Sequence, residues 1–164
     1  MPTIAVRHRV LRALLVVVAL PIAEMEARAQ SAPYVGCYRI AVGPWTRVDG
    51  TEASSGPGLP ASVRLSEEAL VARPGQAAWF VMRSAPGVPE AEFENASWHV
   101  RVSDTVEVRW ETTPFGGVRA TLVRANEDGV VVLRGTATYW SDDMSTPTLR
   151  SPIALTADYC HGRP

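Results

Sequence analysis

Residues 105–112 read TVEVRWET, and their alternation decides the fold. Val106, Val108 and Trp110 share one face of an extended chain, while Thr105, Glu107, Arg109 and Glu111 share the other. Side chains change face with period two along a β-strand, so this stretch predicts a strand with one buried and one solvated face. The pattern spreads both ways. Upstream, Trp98, Val100 and Val102 alternate with Ser97, His99, Arg101 and Ser103. Downstream, Val118, Ala120 and Leu122 alternate with Arg119 and Thr121. Leu133, Ala137 and Tyr139 oppose Arg134, Thr136 and Thr138, and Ile153, Leu155, Ala157 and Tyr159 oppose Ala154, Thr156 and Asp158. One apolar and one polar face per strand suits antiparallel pairing.

The connections agree. Ser103-Asp104 is a very short link, and residues 113–117 and 126–129 are short loops bearing glycine, the residue hairpin turns favour. The first half is less regular. Strands are expected at 35–42, with Tyr38, Ile40 and Val42 on one face, at 61–65 and at 77–82. A Gly-, Pro- and Ser-rich loop covers 43–60, and a second loop, 84–95, carries Glu90, Glu92 and Glu94. In all, eight strands are expected, near 35–42, 61–65, 77–83, 96–102, 105–112, 117–124, 130–140 and 148–159. Strands with a single apolar face must enclose it, which leaves a closed up-and-down barrel or a two-layer sandwich. In the barrel the first and last strands adjoin. Cys37 and Cys160 both have outward parity on those strands, so a disulfide across the seam is expected and the barrel is the favoured reading.

The leader says where such a domain would work. Arg7, Arg9 and Arg12 precede the apolar run 13–23, and Ala27-Arg28-Ala29 offers the small residues a signal peptidase reads. The run contains Pro21 and falls short of the roughly 20 residues a membrane span needs. Residues 1–29 therefore read as a secretory signal peptide cleaved before Gln30, and residues 30–164 as one domain exported to the periplasm or the extracellular space. An oxidising compartment suits the paired cysteines. Four of the 16 basic and two of the 17 acidic residues lie in the leader, which leaves a net charge of −3 beyond it. The chain has no lysine and no basic stripe, which argues against nucleic acid and anionic membrane surfaces as partners.

Gly36-Cys37-Tyr38, opening the first strand, resembles the Gly-x-Trp opening of calycins, the superfamily of lipocalins, avidins and fatty-acid-binding proteins. Tyr38 stands in place of the usual Trp, and Arg150 in the last strand could stand where those proteins set an arginine over the first-strand aromatic. The chain also resembles short exported bacterial proteins without an assigned activity. The calycin resemblance implies a barrel that binds a ligand at its open end.

Motifs for chemistry are sparse. His99 falls on a polar strand face and His161 follows Cys160, neither with a second ligand at metal-binding spacing, and both read as solvated surface histidines. No nucleophile elbow, zinc-protease motif or phosphate-binding glycine loop occurs. Glu90, Glu92 and Glu94 lack the calcium-loop pattern, and Asp142-Asp143 reads as turn chemistry. The expectation is a non-enzyme without metal or cofactor. The aromatics are the better lead. Trp79, Trp98, Trp110, Tyr139 and Tyr38 fall in strands, and Trp45, Phe115 and Met144 in loops. They either fill a core or line an apolar pocket, for which the small inward residues Ala120, Gly135, Ala137 and Ala157 could leave room. Two functions follow. One is a carrier of a small apolar ligand in the barrel, with Trp110, Tyr139, Trp98 and Tyr38 touching it. The other is a non-catalytic cell-envelope interaction protein with a filled core.

Overall fold

The computed structural model describes residues 29–70, 77–85, 96–102, 104–113, 116–142 and 148–160. The leader up to residue 28, the acids Glu90, Glu92, Glu94 and Asp143, and Phe115, Met144 and His161 lie outside the described residues.

A short 3₁₀ helix (Ala32–Tyr34) leads into nine strands: β1 (Gly36–Val42), β2 (Thr46–Arg47), β3 (Ser62–Ala69), β4 (Phe80–Ser84), β5 (Ala96–Val102), β6 (Thr105–Thr113), β7 (Gly116–Glu127), β8 (Val130–Ser141) and β9 (Leu149–Asp158). From β3 to β9 each strand pairs antiparallel with the next, and β1 pairs with both β3 and β9. This closes an eight-stranded up-and-down barrel, with β2 as a two-residue addition on β9. The seam runs from Cys37↔Asp158 to Val42↔Ile153. Closure leaves no long unpaired edge, the feature that makes open sheets prone to aggregate.

Boundaries move in the less regular half. The strand expected to end at Leu65 continues to Ala69 through an irregularity in its pairing with β4. The strand expected from Ala77 begins at Phe80, which puts Trp79 just outside it. In the hairpin between β7 and β8 the loop shrinks to Asp128-Gly129, because Glu127 already pairs with Val130. Both turn residues have positive φ, 52° and 82°, as a two-residue I′ turn demands. Aspartate tolerates that region and glycine enters it freely.

Most side chains assigned to the interior by alternation reach it, but Val42, Val102 and Tyr159 are exposed, because each lies at or just beyond the end of its strand, past the packed layers. Tyr38, Trp98, Val108, Trp110, Val118, Ala120, Leu122, Leu133, Ala137 and Leu155 form the core, and Ile40, Val100, Tyr139 and Ala157 pack against it half-buried. The register explains the small residues. Trp98, Val108, Ala120, Ala137 and Ser151 follow one another around five adjoining strands, so the largest side chain of that row shares it with small ones. Gly135 leaves no room either. A Cβ there would collide with the backbone carbonyl of Thr121, so the missing side chain lets β7 come close.

Both ends of the barrel receive an aromatic from outside the eight strands. At the end where β1 begins and β9 finishes, Tyr34 of the 3₁₀ helix is 1% exposed. The Tyr38 hydroxyl donates to the Tyr34 carbonyl at 2.8 Å, and burial pushes that hydroxyl's pKa up to about 12. The Arg124 guanidinium stands 6.0 Å from the Tyr34 ring centre. At the other end Trp45, from the 43–60 loop, joins the core beside Ala53 and Leu59. Arg150 pairs with Thr46 and Thr138 at that end and is exposed. It therefore does not cover Tyr38, and the guanidinium near Tyr34 and Tyr38 belongs to Arg124.

Cys37 and Cys160 are disulfide-bonded, with Cα atoms 5.2 Å apart and a sequence separation of 123. The bridge fastens the end of β9 to the start of β1 across the seam. Among the described residues no helix is long and apolar enough to cross a membrane.

Candidate functional site

The four aromatics expected to touch a ligand sit inside the barrel. Trp98 has no accessible surface, Trp110 and Tyr38 are each 3% exposed, and Tyr139 is half-buried near the end of β8. Their contacts are structural. Trp98 Nε1 donates to the Ser66 carbonyl at 3.1 Å, and its ring meets Phe80 with centroids 5.0 Å apart. Tyr38 spends its hydroxyl on Tyr34. Trp110 Nε1 is buried without a hydrogen-bond partner, in the row that continues through Val118, Tyr139 and Leu149.

A second constellation lies on the outer face of β5, β6 and β7. Alternation turns Ser97, His99 and Arg101 outward on β5, Glu107 and Arg109 on β6, and Arg119 and Thr121 on β7. The register then sets His99 and Thr121 on either side of Glu107, and Ser97 and Arg119 on either side of Arg109. Outward positions are normally wet, yet the Glu107 side chain is only 7% exposed and His99 is 9% exposed. Trp79, one residue ahead of β4, accounts for part of this. Its indole stacks on the His99 imidazole at 4.0 Å between centroids and 10° between planes. The Arg109 guanidinium lies 4.0 Å from the same indole, a cation–π contact. The expected solvated histidine is thus buried, because a residue outside the strand pattern covers it.

Glu107 is the hub. Its Oε1 accepts from Arg109 Nε at 2.8 Å, with Arg109 Nη2 also at 2.8 Å and Arg119 Nε at 3.2 Å. Its Oε2 faces His99 Nε2 at 3.6 Å and Arg101 Nε at 3.8 Å. Burial alone would raise the carboxyl's pKa. The Arg109 hydrogen bond and the charges of Arg109 and Arg119 outweigh it and hold the group below its usual range. His99 goes the other way for a base. Burial lowers its pKa, and Arg109 and Arg101 add to that against the pull of Glu107. These opposing influences favour the uncharged ring, and neither nitrogen makes a hydrogen bond of good geometry. Arg101, Arg109 and Arg119 are 54%, 36% and 51% exposed, so all three remain open to solvent around a dry carboxylate.

A third feature is an open groove of about 670 Å³ beside the β7–β8 turn. Four of its charged side chains are paired, Arg39 with Asp158 at 3.2 Å and Arg134 with Glu127 at 2.6 Å. Among the described residues no group of three His, Cys, Asp or Glu side chains is placed to hold a metal ion.

Alternation found the interior set and missed the outer one. It assigned His99, Glu107 and the arginines to the correct face but not to burial. The available signal was their composition. Arg101, Arg109 and Arg119 fall at outward positions of three consecutive strands and converge on Glu107, while the only other outward acid of β6 is Glu111. Comparison with protein-family models, curated proteins and solved structures finds no match to this chain.

Proposed function

We propose that the protein is an exported, non-catalytic interaction protein whose barrel is a solid scaffold and whose outer face does the binding. The observation that carries this reading is the interior. Trp98, Val106, Val108, Ala120, Leu122, Leu133, Ala137 and Leu155 all have zero accessible surface. A side chain with none borders no space that a water can enter, and an apolar ligand needs a cavity of about 300 Å³ or more. The inward aromatics then act as core, where each buries about 150–250 Å². Export rests on the leader pattern, with the disulfide in keeping with an oxidising compartment. Catalysis has no support in the outer constellation, where His99 is buried and Glu107 is committed to arginines.

Titration with fatty acids and hydrophobic dyes, followed by tryptophan emission, tests this. The expected result is no saturable change. A saturable quench that disappears in Trp110→Ala, with the fold intact, would restore the carrier.

A further inference from the structure

The charges gathered on Glu107 do not balance. One carboxylate faces three guanidinium groups, and among the described residues no other acid pairs with Arg101, Arg109 or Arg119. Among these four side chains two positive charges are left over within a few ångströms, well inside the screening length of about 8 Å at physiological salt, and the exposed Glu111 on the same face of β6 pairs with none of them. Folding gives no reason for the surplus. Arg109 and Arg119 are direct cross-strand partners, and like charges so placed weaken a sheet. A second cost falls at the same spot. His99 is 9% exposed and held flat under Trp79, with Nδ1 lacking a hydrogen-bond partner and Nε2 facing the Glu107 carboxylate at 3.6 Å, too far for a good hydrogen bond. Local departures from what stability favours gather at functional sites.

We infer that the outer face of β5–β7 at Glu107 is a binding site for a dianionic phosphoryl group, free as orthophosphate or carried as a terminal phosphomonoester. A phosphoryl group bears about −1.5 to −2 charge at pH 7 and three strong acceptor oxygens, which matches the surplus. Guanidinium forks suit its geometry, and each arginine keeps donors that Glu107 does not use. Glu107 acts as a positioning residue that holds Arg109 and Arg119 side by side. Trp79, from the approach to β4, reaches across β5 to hold Arg109 and offers an aromatic surface next to the anion. The site goes beyond the outer-face reading and rests on it. The dye titration tests that reading separately, so loss of the phosphoryl site would leave it standing.

The test is an NMR titration of the arginine Nε–H signals in the full, disulfide-bonded chain. Sodium orthophosphate, phenyl phosphate and succinate are added in turn, with ionic strength held constant by sodium chloride. Saturable shifts at Arg101, Arg109 and Arg119 are expected with both phosphates, and binding of succinate at least about tenfold weaker. The double variant Arg101→Gln/Arg119→Gln should lose at least about tenfold in phosphate affinity while still unfolding cooperatively in urea. If that variant does not fold, Arg101→Gln alone carries the comparison, because Arg101 makes the longest contact with Glu107. Tighter phenyl phosphate assigns an organic phosphomonoester, and equal affinities assign the free ion; both support the site. Absence of a saturable shift, undiminished binding in the variant, or succinate binding as tightly as phosphate would overturn it.

Discussion

The Trp79 indole lies flat on the His99 imidazole, 4.0 Å between centroids, on the outside of a barrel whose inside is already full of aromatics. This pair has a consequence for acid stability. The folded-state pKa of His99 is lowered, with burial the largest cause. The unfolded chain therefore binds a proton that the folded chain refuses, and stability is greatest above the unfolded value of about 6.5 and declines as pH falls below it. Glu107 is also lowered, so its contribution is lost only at more acidic pH, as its folded value is passed. Between about pH 6.5 and 5 the slope belongs to His99. His99→Phe, which keeps a ring under Trp79, should flatten it. Urea unfolding at three pH values measures this, and an unchanged slope in the variant would refute it.

The Cys37–Cys160 bridge closes almost the whole domain into one loop. In the chain-entropy model, loops of over 100 residues contribute about 4–5 kcal/mol, less where the native geometry resists. Joint replacement by serine should lower unfolding free energy by about 2–5 kcal/mol. Equal urea midpoints for the variant and the oxidised parent would show that the bridge adds nothing.

Trp98 offers the sharpest packing test. It has no accessible surface, packs against Phe80 and donates to the Ser66 carbonyl. Trp98→Ala should cost about 3–5 kcal/mol. A loss below about 1 kcal/mol would mean that space is already available beside the ring.

Gly135→Ala tests the close approach of β7 and β8. The added methyl meets the Thr121 backbone carbonyl, which cannot step aside as a flexible side chain would. A loss of about 1–3 kcal/mol is expected, the usual cost of overpacking. Stabilisation by this substitution would show that the strands can part at no cost.

The barrel was legible because Thr105–Thr112 and its neighbours each bury one face, and period two reports that directly. The cysteine parity then selected the closed form, with the seam where the structure has it. Three parts were hidden for physical reasons. Tyr34 and Trp45 enter the core from a three-residue helix and from a Gly- and Pro-rich loop, where no periodicity exists to be read. The second half of β3 passes through Ser66, Glu67 and Glu68, whose polarity masks a strand that pairs irregularly. Alternation assigns His99 and Glu107 to a face but says nothing of what covers that face. Trp79 reaches His99 from the neighbouring strand's approach, a relationship that exists only once β4 and β5 are paired.

The proposed solid interior is tested most directly by native mass spectrometry of the protein purified from the cells that make it. The expected result is the mass of the disulfide-closed chain with no apolar molecule attached. A stoichiometric lipid or other apolar ligand that survives purification and is lost in Trp110→Ala would contradict it.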